Sequence, residues 1–167
     1  MKYKITFFDF WHISSGVSAG VQLDATVVKD NFGLPYVPGK TLKGLARENA
    51  ELLDKQKSIE IFGDEGNKVA QSYFGDATLD EVTQRYLLQE KSLQKHLFDK
   101  VTSTKIDQNG IAEDNTLREI EVVIPLELYG EIICDDEAFI ADTLSMIKRM
   151  GLNRNRGLGR CKVEVIG

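Results

Sequence analysis

The chain has 167 residues, of which 42% are hydrophobic and 28% are charged. This length is typical of one globular domain, and the apolar content is sufficient for a core, which excludes a largely disordered protein. No apolar run approaches the ~20 residues of a membrane helix, the first residues do not resemble a signal peptide, and two distant cysteines exclude a disulfide framework. We therefore expect a single cytoplasmic domain over residues 1–167 without membrane contact, and its net charge of -5 disfavours a general nucleic-acid-binding protein.

The N-terminal third is predicted to hold a strand, a long loop and a helix. Residues 2–10 alternate polar and apolar side chains, as a half-buried strand does. The buried face of that strand would carry Tyr3, Ile5 and Phe7. Residues 11–38 follow no period and contain several glycines and prolines, which predicts a long loop of the kind that usually has a function. An apolar stripe then predicts a helix with Thr41 as its N-cap and its end near Leu53.

The middle of the chain is predicted to contain a strand, a helix and a hairpin. We expect the strand at residues 72–79 and the helix near residues 80–96. Two extended arms follow within residues 97–123, and they flank Asn109-Gly110. Because Asn-Gly is a strong signal for a tight turn between strands, these arms are predicted to pair as a hairpin.

The last third is predicted to add a strand, a helix, a loop rich in glycine and arginine, and a closing strand. The strand covers residues 126–134, and acidic residues at 135 and 136 begin a helix that keeps its apolar spacing to Met150. The closing strand would carry Cys161, Val163 and Val165 on one face. The whole order predicts an α+β chain with a ferredoxin-like (βαββαβ), RRM-type domain, an inserted β-hairpin and a C-terminal glycine-rich loop.

Basic side chains gather beside glycines at two places in this acidic chain. The first place is the start of the predicted helix, where one face carries Lys40, Lys43 and Arg47. The second is the loop at residues 151–160, which carries Arg154, Arg156 and Arg160. Free N–H groups at a helix start and planar guanidinium groups both suit phosphates, so both places are candidate phosphate sites. The alternative for the first place is an ordinary solvated helix, and the residue types alone do not decide between the two interpretations.

Several segments together resemble a known protein family. These are Gly20 to Asp30, Pro35-Tyr36-Val37-Pro38-Gly39, Tyr73 to Ala77, Thr104 to Asp107 and Arg118-Glu119, together with the C-terminal glycine-arginine loop. The combination resembles the RAMP superfamily of CRISPR-associated proteins and, more narrowly, the repeated backbone subunit of type III effector complexes. The resemblance covers nearly the whole chain.

The resemblance implies a function and a set of partners. Family members of this kind bind a guide RNA along its backbone, pair it with a target RNA, and assemble with copies of themselves and with other CRISPR effector subunits. The hairpin at about residues 104–120 would be the thumb that interrupts the pairing. By position, Asp24 matches the aspartate that is needed to cut the target RNA, and it would bind a divalent metal, Mg²⁺ or Mn²⁺.

His12 and the aromatic side chains around it allow more than one interpretation. His12 follows the first strand and is interpreted as an RNA contact, with a strand cap or an acid–base group as alternatives. Aromatic side chains in this stretch are candidates for stacking on bases, although the odd-numbered ones are expected in the core. The stretch carries Phe7, Phe8, Phe10 and Trp11.

The sequence is consistent with four functions. The favoured one is a backbone subunit that binds guide RNA and cleaves target RNA at Asp24. The alternatives are an RNA-binding subunit without cleavage, a stand-alone ribonuclease that processes guide precursors with His12 and no metal, and an unrelated interaction domain that binds no RNA. Metal dependence separates the favoured function from the stand-alone nuclease, and salt-dependent RNA binding separates the first three from the last.

Overall fold

A computed structural model of the chain describes residues 1–16, 25–64, 70–104, 108–111 and 117–167. Strands and helices both occur, which confirms the predicted mixed α+β architecture. In chain order they are β1 (Lys2–Phe7), α1 (Gly39–Leu53), α2 (Lys55–Phe62), β2 (Tyr73–Phe74), α3 (Glu81–Gln89), a 3₁₀ helix (Lys91–Leu97), β3 (Phe98–Ser103), β4 (Arg118–Val123), β5 (Glu127–Ile133), α4 (Glu137–Ser145) and β6 (Cys161–Ile166). No helix among the described residues is long and apolar enough to cross a membrane.

The larger sheet has four strands in the order β2-β5-β1-β6, and each neighbouring pair is antiparallel. The predicted alternation of buried and solvent-facing side chains in β1 is observed, since its odd-numbered side chains are buried and its even-numbered ones are not. Ile5 pairs with Leu128 on one side and Val163 on the other, and all three are buried. The core therefore lies on one face of this sheet.

Helices α1 and α4 pack against each other. The buried positions of α1 include Leu42, Ala46 and Ala50, which recur every four residues and so form one stripe. The two alanines allow the neighbouring helix to approach closely. Between the helices the Asn49 amide donates a hydrogen bond to the Thr143 carbonyl oxygen at 3.0 Å.

The arms of the predicted hairpin form a second, two-stranded sheet. Strands β3 and β4 are antiparallel, with Phe98 opposite Val123 and Ser103 opposite Arg118. Val123 is buried and exchanges two backbone hydrogen bonds with Trp11, at 2.8 and 3.1 Å. The base of this sheet is therefore fixed to the core, whereas residues 105–107 and 112–116 lie outside the described residues.

Helix boundaries differ from the sequence predictions where tertiary contacts decide them. Thr41 was predicted as the N-cap of the first helix, and this is wrong: α1 begins at Gly39, and Asp76 accepts a hydrogen bond from the Gly39 N–H at 2.7 Å. A Cβ atom at Gly39 would lie 2.0 Å from the Phe74 carbonyl oxygen, so only glycine fits this close approach. The last helix ends at Ser145, although it was predicted to continue to Met150.

Candidate functional site

The loop of residues 151–160, here called the glycine-arginine loop, is bonded to the segment that follows β1. The Leu152 N–H donates to the His12 carbonyl oxygen at 2.8 Å, and the Gly159 N–H donates to the Phe10 carbonyl oxygen at 2.8 Å. Gly151 has a φ of +93°, and a Cβ atom there would lie 2.2 Å from the His12 carbonyl oxygen. Only glycine permits such a close approach of the two backbones. The two hydrogen bonds hold the loop in place at both of its ends.

Between these two attachments the loop turns outward. Asn153 adopts a positive φ of 56°, and its carbonyl oxygen accepts a hydrogen bond from the Arg156 N–H at 2.8 Å. Arg154 and Arg156 are exposed, and neither forms an ion pair within the described ranges. Their guanidinium groups are therefore available to bind an anion at the tip of a rigid loop.

Arg160, the third predicted arginine, lies in a different environment. Its backbone N–H donates to the Asp9 carboxylate at 2.7 Å, and its Nε atom lies 3.8 Å from the other oxygen of that carboxylate. Its guanidinium carbon is 5.6 Å from the centre of the Phe8 ring. The side chain is 59% exposed, so it is oriented by its neighbours and still accessible to a ligand.

The basic residues at the start of α1 are less uniform than the sequence indicated. Lys40 is exposed, but the Lys43 ammonium group donates to the Ser72 carbonyl oxygen at 2.8 Å. Burial, with a smaller effect of the nearby Arg47 charge, lowers the pKa of Lys43. Arg47 itself pairs with Glu51 at 3.1 Å. Of the three predicted cations, Lys40 is thus the one most open to solvent.

The two predicted basic groups lie at opposite edges of the four-stranded sheet. The start of α1 contacts Phe74 in β2, which is one edge strand. The glycine-arginine loop leads directly into β6, which is the other edge strand. The structure therefore does not join them into one cluster, and a ligand that touched both would have to extend across the molecule.

His12 is buried, which conflicts with the interpretation that its side chain contacts RNA. Its Nδ1 atom lies 2.6 Å from the Glu121 carbonyl oxygen, and its exposed fraction is 0%. Its Nε2 atom and Nε1 of Trp11 are buried without a hydrogen-bond partner among the described residues. The sequence signal was misleading because His12 follows a strand end, whereas the attachments to β4 and the glycine-arginine loop enclose it.

Glu121 in β4 was missed by the sequence reasoning, although it organises the segment that follows Asp24. Its carboxylate accepts a hydrogen bond from the Val27 N–H at 3.0 Å and pairs with the Lys29 ammonium group at 2.7 Å. Its backbone N–H donates to the Ala25 carbonyl oxygen at 3.1 Å. Residues 25–29 are thereby attached to β4, while Asp24 itself lies outside the described residues.

A metal site is not formed by the described residues alone. No group of three or more histidine, cysteine, aspartate or glutamate side chains among them is arranged to hold a metal ion. Asp24, the predicted ligand of Mg²⁺ or Mn²⁺, is outside that set. The metal expectation thus depends on a residue that the structure leaves undescribed.

A groove of about 650 Å³ lies beside β2, β5 and the start of β1, and it is acidic. The charged side chains in its lining are Lys2, Asp76, Asp80, Glu81 and Glu131. The Tyr3 hydroxyl, which also lines the groove, donates to the Gly75 carbonyl oxygen at 2.8 Å. Burial and the nearby Asp76 carboxylate raise the pKa of this phenol. An anionic ligand would be repelled here, so the groove is not a phosphate site.

Comparison with known sequences identifies one family. The model of the RAMP superfamily matches residues 4–162 of the chain, which is nearly its whole length. No match was found among curated proteins.

Two solved structures have the same overall fold. A chain of the cryo-EM structure of the type III-B Cmr-beta bound to cognate target RNA has a TM-score of 0.74 at 13% sequence identity, covering 98% of this chain and 95% of that chain. A chain of the type III-B Cmr-beta in its apo state has a TM-score of 0.71 at 13% identity, with the same coverage. At this identity the likeness concerns the fold alone.

Proposed function

Because the chain belongs to the RAMP superfamily, we propose that it is an RNA-binding subunit of a type III CRISPR effector complex. The observation that carries this proposal is the glycine-arginine loop, which presents Arg154 and Arg156 without ion pairs to any other described residue, on a chain of net charge -5. A loop whose backbone is already fixed binds phosphates through its guanidinium groups with little loss of backbone entropy. This arrangement suits a guide RNA that is bound through its phosphate backbone. The protein partners in the complex would be other effector subunits and further copies of this chain.

The fold supports the same proposal. Helices α1 and α2 lie between β1 and β2, α4 lies between β5 and β6, and the strand order is β2-β5-β1-β6. This order fits a ferredoxin-like βαββαβ domain into which β3 and β4 are inserted. The inserted pair is proposed as the thumb, because its base is attached to the core at Val123 while its outer residues are exposed.

Cleavage of bound target RNA at Asp24 is the second part of the proposal. The RNA supplies the nucleophile, its own 2′-OH, so the protein has to align the nucleotide and stabilise charge. Mg²⁺ or Mn²⁺ bound by Asp24 would supply part of that stabilisation. The attachment of residues 25–29 to β4 supports this assignment, since it connects the chain next to Asp24 with the proposed thumb. A subunit that binds without cleaving is the competing function, whereas burial of His12 argues against a nuclease that uses this histidine.

RNA binding is tested by removing the two arginines of the loop tip. We expect Arg154→Ala/Arg156→Ala to weaken binding of a short single-stranded RNA similarly for all sequences. The slope of log affinity against log salt should fall by about 1.4, since each lost phosphate contact is worth roughly 0.7. Arg85→Ala/Lys95→Ala removes the same charge from exposed positions in and after α3 and serves as the matched control. Equal losses in both variants, or binding that is insensitive to salt, would contradict the proposal.

A further inference from the structure

We propose that Phe8, Lys148, Arg160 and Lys162 form a pocket for one nucleotide, whose base stacks on Phe8 and whose phosphate is bound by the cations. This inference rests on the RNA-binding function proposed above and names one place where RNA is held. The pocket has a volume of about 450 Å³ and is completed by Cys161. It is a depression open to solvent, and its volume lies within the ~300–1,000 Å³ of common ligand sites, so it has room for a single nucleotide.

Phe8 is an exposed aromatic ring on a fixed backbone. Its neighbour Phe7 stacks on Trp11 in the core with ring centres 4.5 Å apart, whereas the Phe8 side chain is 48% exposed. The Phe8 N–H donates to the Arg160 carbonyl oxygen at 2.9 Å, which continues the pairing of β1 with β6. A ring held in this way offers its surface to a base with little further loss of entropy.

Neighbouring groups orient the three cations around the Phe8 ring, and these cations keep charge available for a ligand. The Lys148 ammonium group donates one hydrogen bond, to the Ser145 carbonyl oxygen at 2.6 Å, and has two further N–H groups. Lys162 pairs with Glu164 at 2.6 Å, and its side chain is 57% exposed. Arg160 is 3.8 Å from the Asp9 carboxylate and 5.6 Å from the Phe8 ring. Three cations thus face two carboxylates, Asp9 and Glu164, and the balance favours an anion.

The combination of groups selects a nucleotide among the possible anions. Lysine ammonium groups and a guanidinium group bind phosphate, and the ring binds the flat face of a base of any identity. A sugar phosphate without a base would use only the first set of contacts. The pocket therefore predicts a preference for nucleotides over base-free phosphates with little preference among bases.

The test uses adenosine 5′-monophosphate and ribose 5-phosphate as probes, with affinities measured by isothermal titration calorimetry and the place of binding identified by NMR of ¹³C-labelled phenylalanine rings. We expect the nucleotide to shift the Phe8 ring signal and to bind on the order of ten-fold more tightly than the base-free phosphate. Phe8→Ala should reduce the affinity for the nucleotide to that for ribose 5-phosphate and leave the latter unchanged. Retained binding of ribose 5-phosphate also shows that the variant is folded.

Phe32→Ala, which removes another exposed phenylalanine, is the matched control and should change neither affinity. Equal affinities of the two probes for the wild type, or no effect of Phe8→Ala, would overturn the pocket.

A parallel titration with oligoadenylate separates this inference from the proposed function. Oligonucleotide binding that is indifferent to Phe8→Ala refutes the pocket alone, whereas probe binding without oligonucleotide binding refutes the RNA-binding function alone.

Discussion

Replacing Glu121 by alanine should destabilise the protein more than its position on a strand suggests. The Glu121 side chain is only 13% exposed, and the change leaves the Val27 N–H without its acceptor and Lys29 without its carboxylate partner. A hydrogen bond to a charged group contributes about 1.5–3 kcal/mol. The Lys29 side chain is 34% exposed, so its ion pair adds no more than about 1 kcal/mol. We therefore expect a loss of about 1.5–4 kcal/mol in the free energy of unfolding.

Urea denaturation at neutral pH measures this loss, and the m-value should stay constant if only stability changes. For a chain of this size each kcal/mol corresponds to roughly 2–4 °C in Tm, which gives an independent thermal check. Glu121→Gln keeps an oxygen acceptor for the Val27 N–H but removes the charge, so its loss should be intermediate. The graded order of the two variants would show that both the hydrogen bond and the ion pair contribute.

Glu119→Ala is the matched control, because Glu119 lies on the same strand, is 35% exposed, and pairs with Lys100 at a longer distance of 3.7 Å. An exposed pair of this kind contributes up to about 1 kcal/mol. A loss for Glu121→Ala no larger than the loss for Glu119→Ala would refute the reasoning. Residues 25–29 would then be held by other contacts than the Glu121 carboxylate.

Three further predictions concern cleavage, the inserted hairpin and a buried thiol. In the assembled complex with guide RNA, Asp24→Ala should reduce target cleavage by ~10²–10³ while binding survives; undiminished cleavage would move the chemistry to another residue. Shortening the segment between Ser103 and Arg118 should change where target RNA is cut but leave Tm nearly unchanged, and collapse of the fold would contradict a thumb. Burial, with a smaller effect of Asp9, raises the pKa of the Cys161 thiol to about 12, so iodoacetamide at pH 8 should alkylate it only after unfolding, as mass spectrometry would detect.

Local patterns predicted those elements whose side chains follow a simple period. The alternation around Ile5 and the stripe that contains Leu42 both became buried faces, because a strand and a helix each present regularly spaced residues to the core. Composition also drew attention to the glycine-arginine loop, whose Arg154 and Arg156 are exposed in the structure, while its role in binding RNA stays a prediction.

Features that depend on contacts between distant segments were not predictable in this way. Gly39 begins α1 because its backbone meets Phe74, which is 35 positions further along the chain. His12 is buried because β4 and the glycine-arginine loop enclose it. Glu121 looks like an ordinary strand carboxylate in the sequence, and only the fold brings it to Val27 and Lys29. A single sequence contains no direct signal for such pairs.

The stretch from Trp11 to Ile13 limits where residues can be inserted into or deleted from this chain. Trp11 exchanges two backbone hydrogen bonds with β4, the His12 carbonyl oxygen accepts one from the glycine-arginine loop, and the Ile13 carbonyl oxygen accepts one from the Val28 N–H at 2.8 Å. Three separate parts of the molecule are thus aligned by three consecutive residues. Inserting or deleting one residue here would shift all three registers at once and turn buried side chains outward.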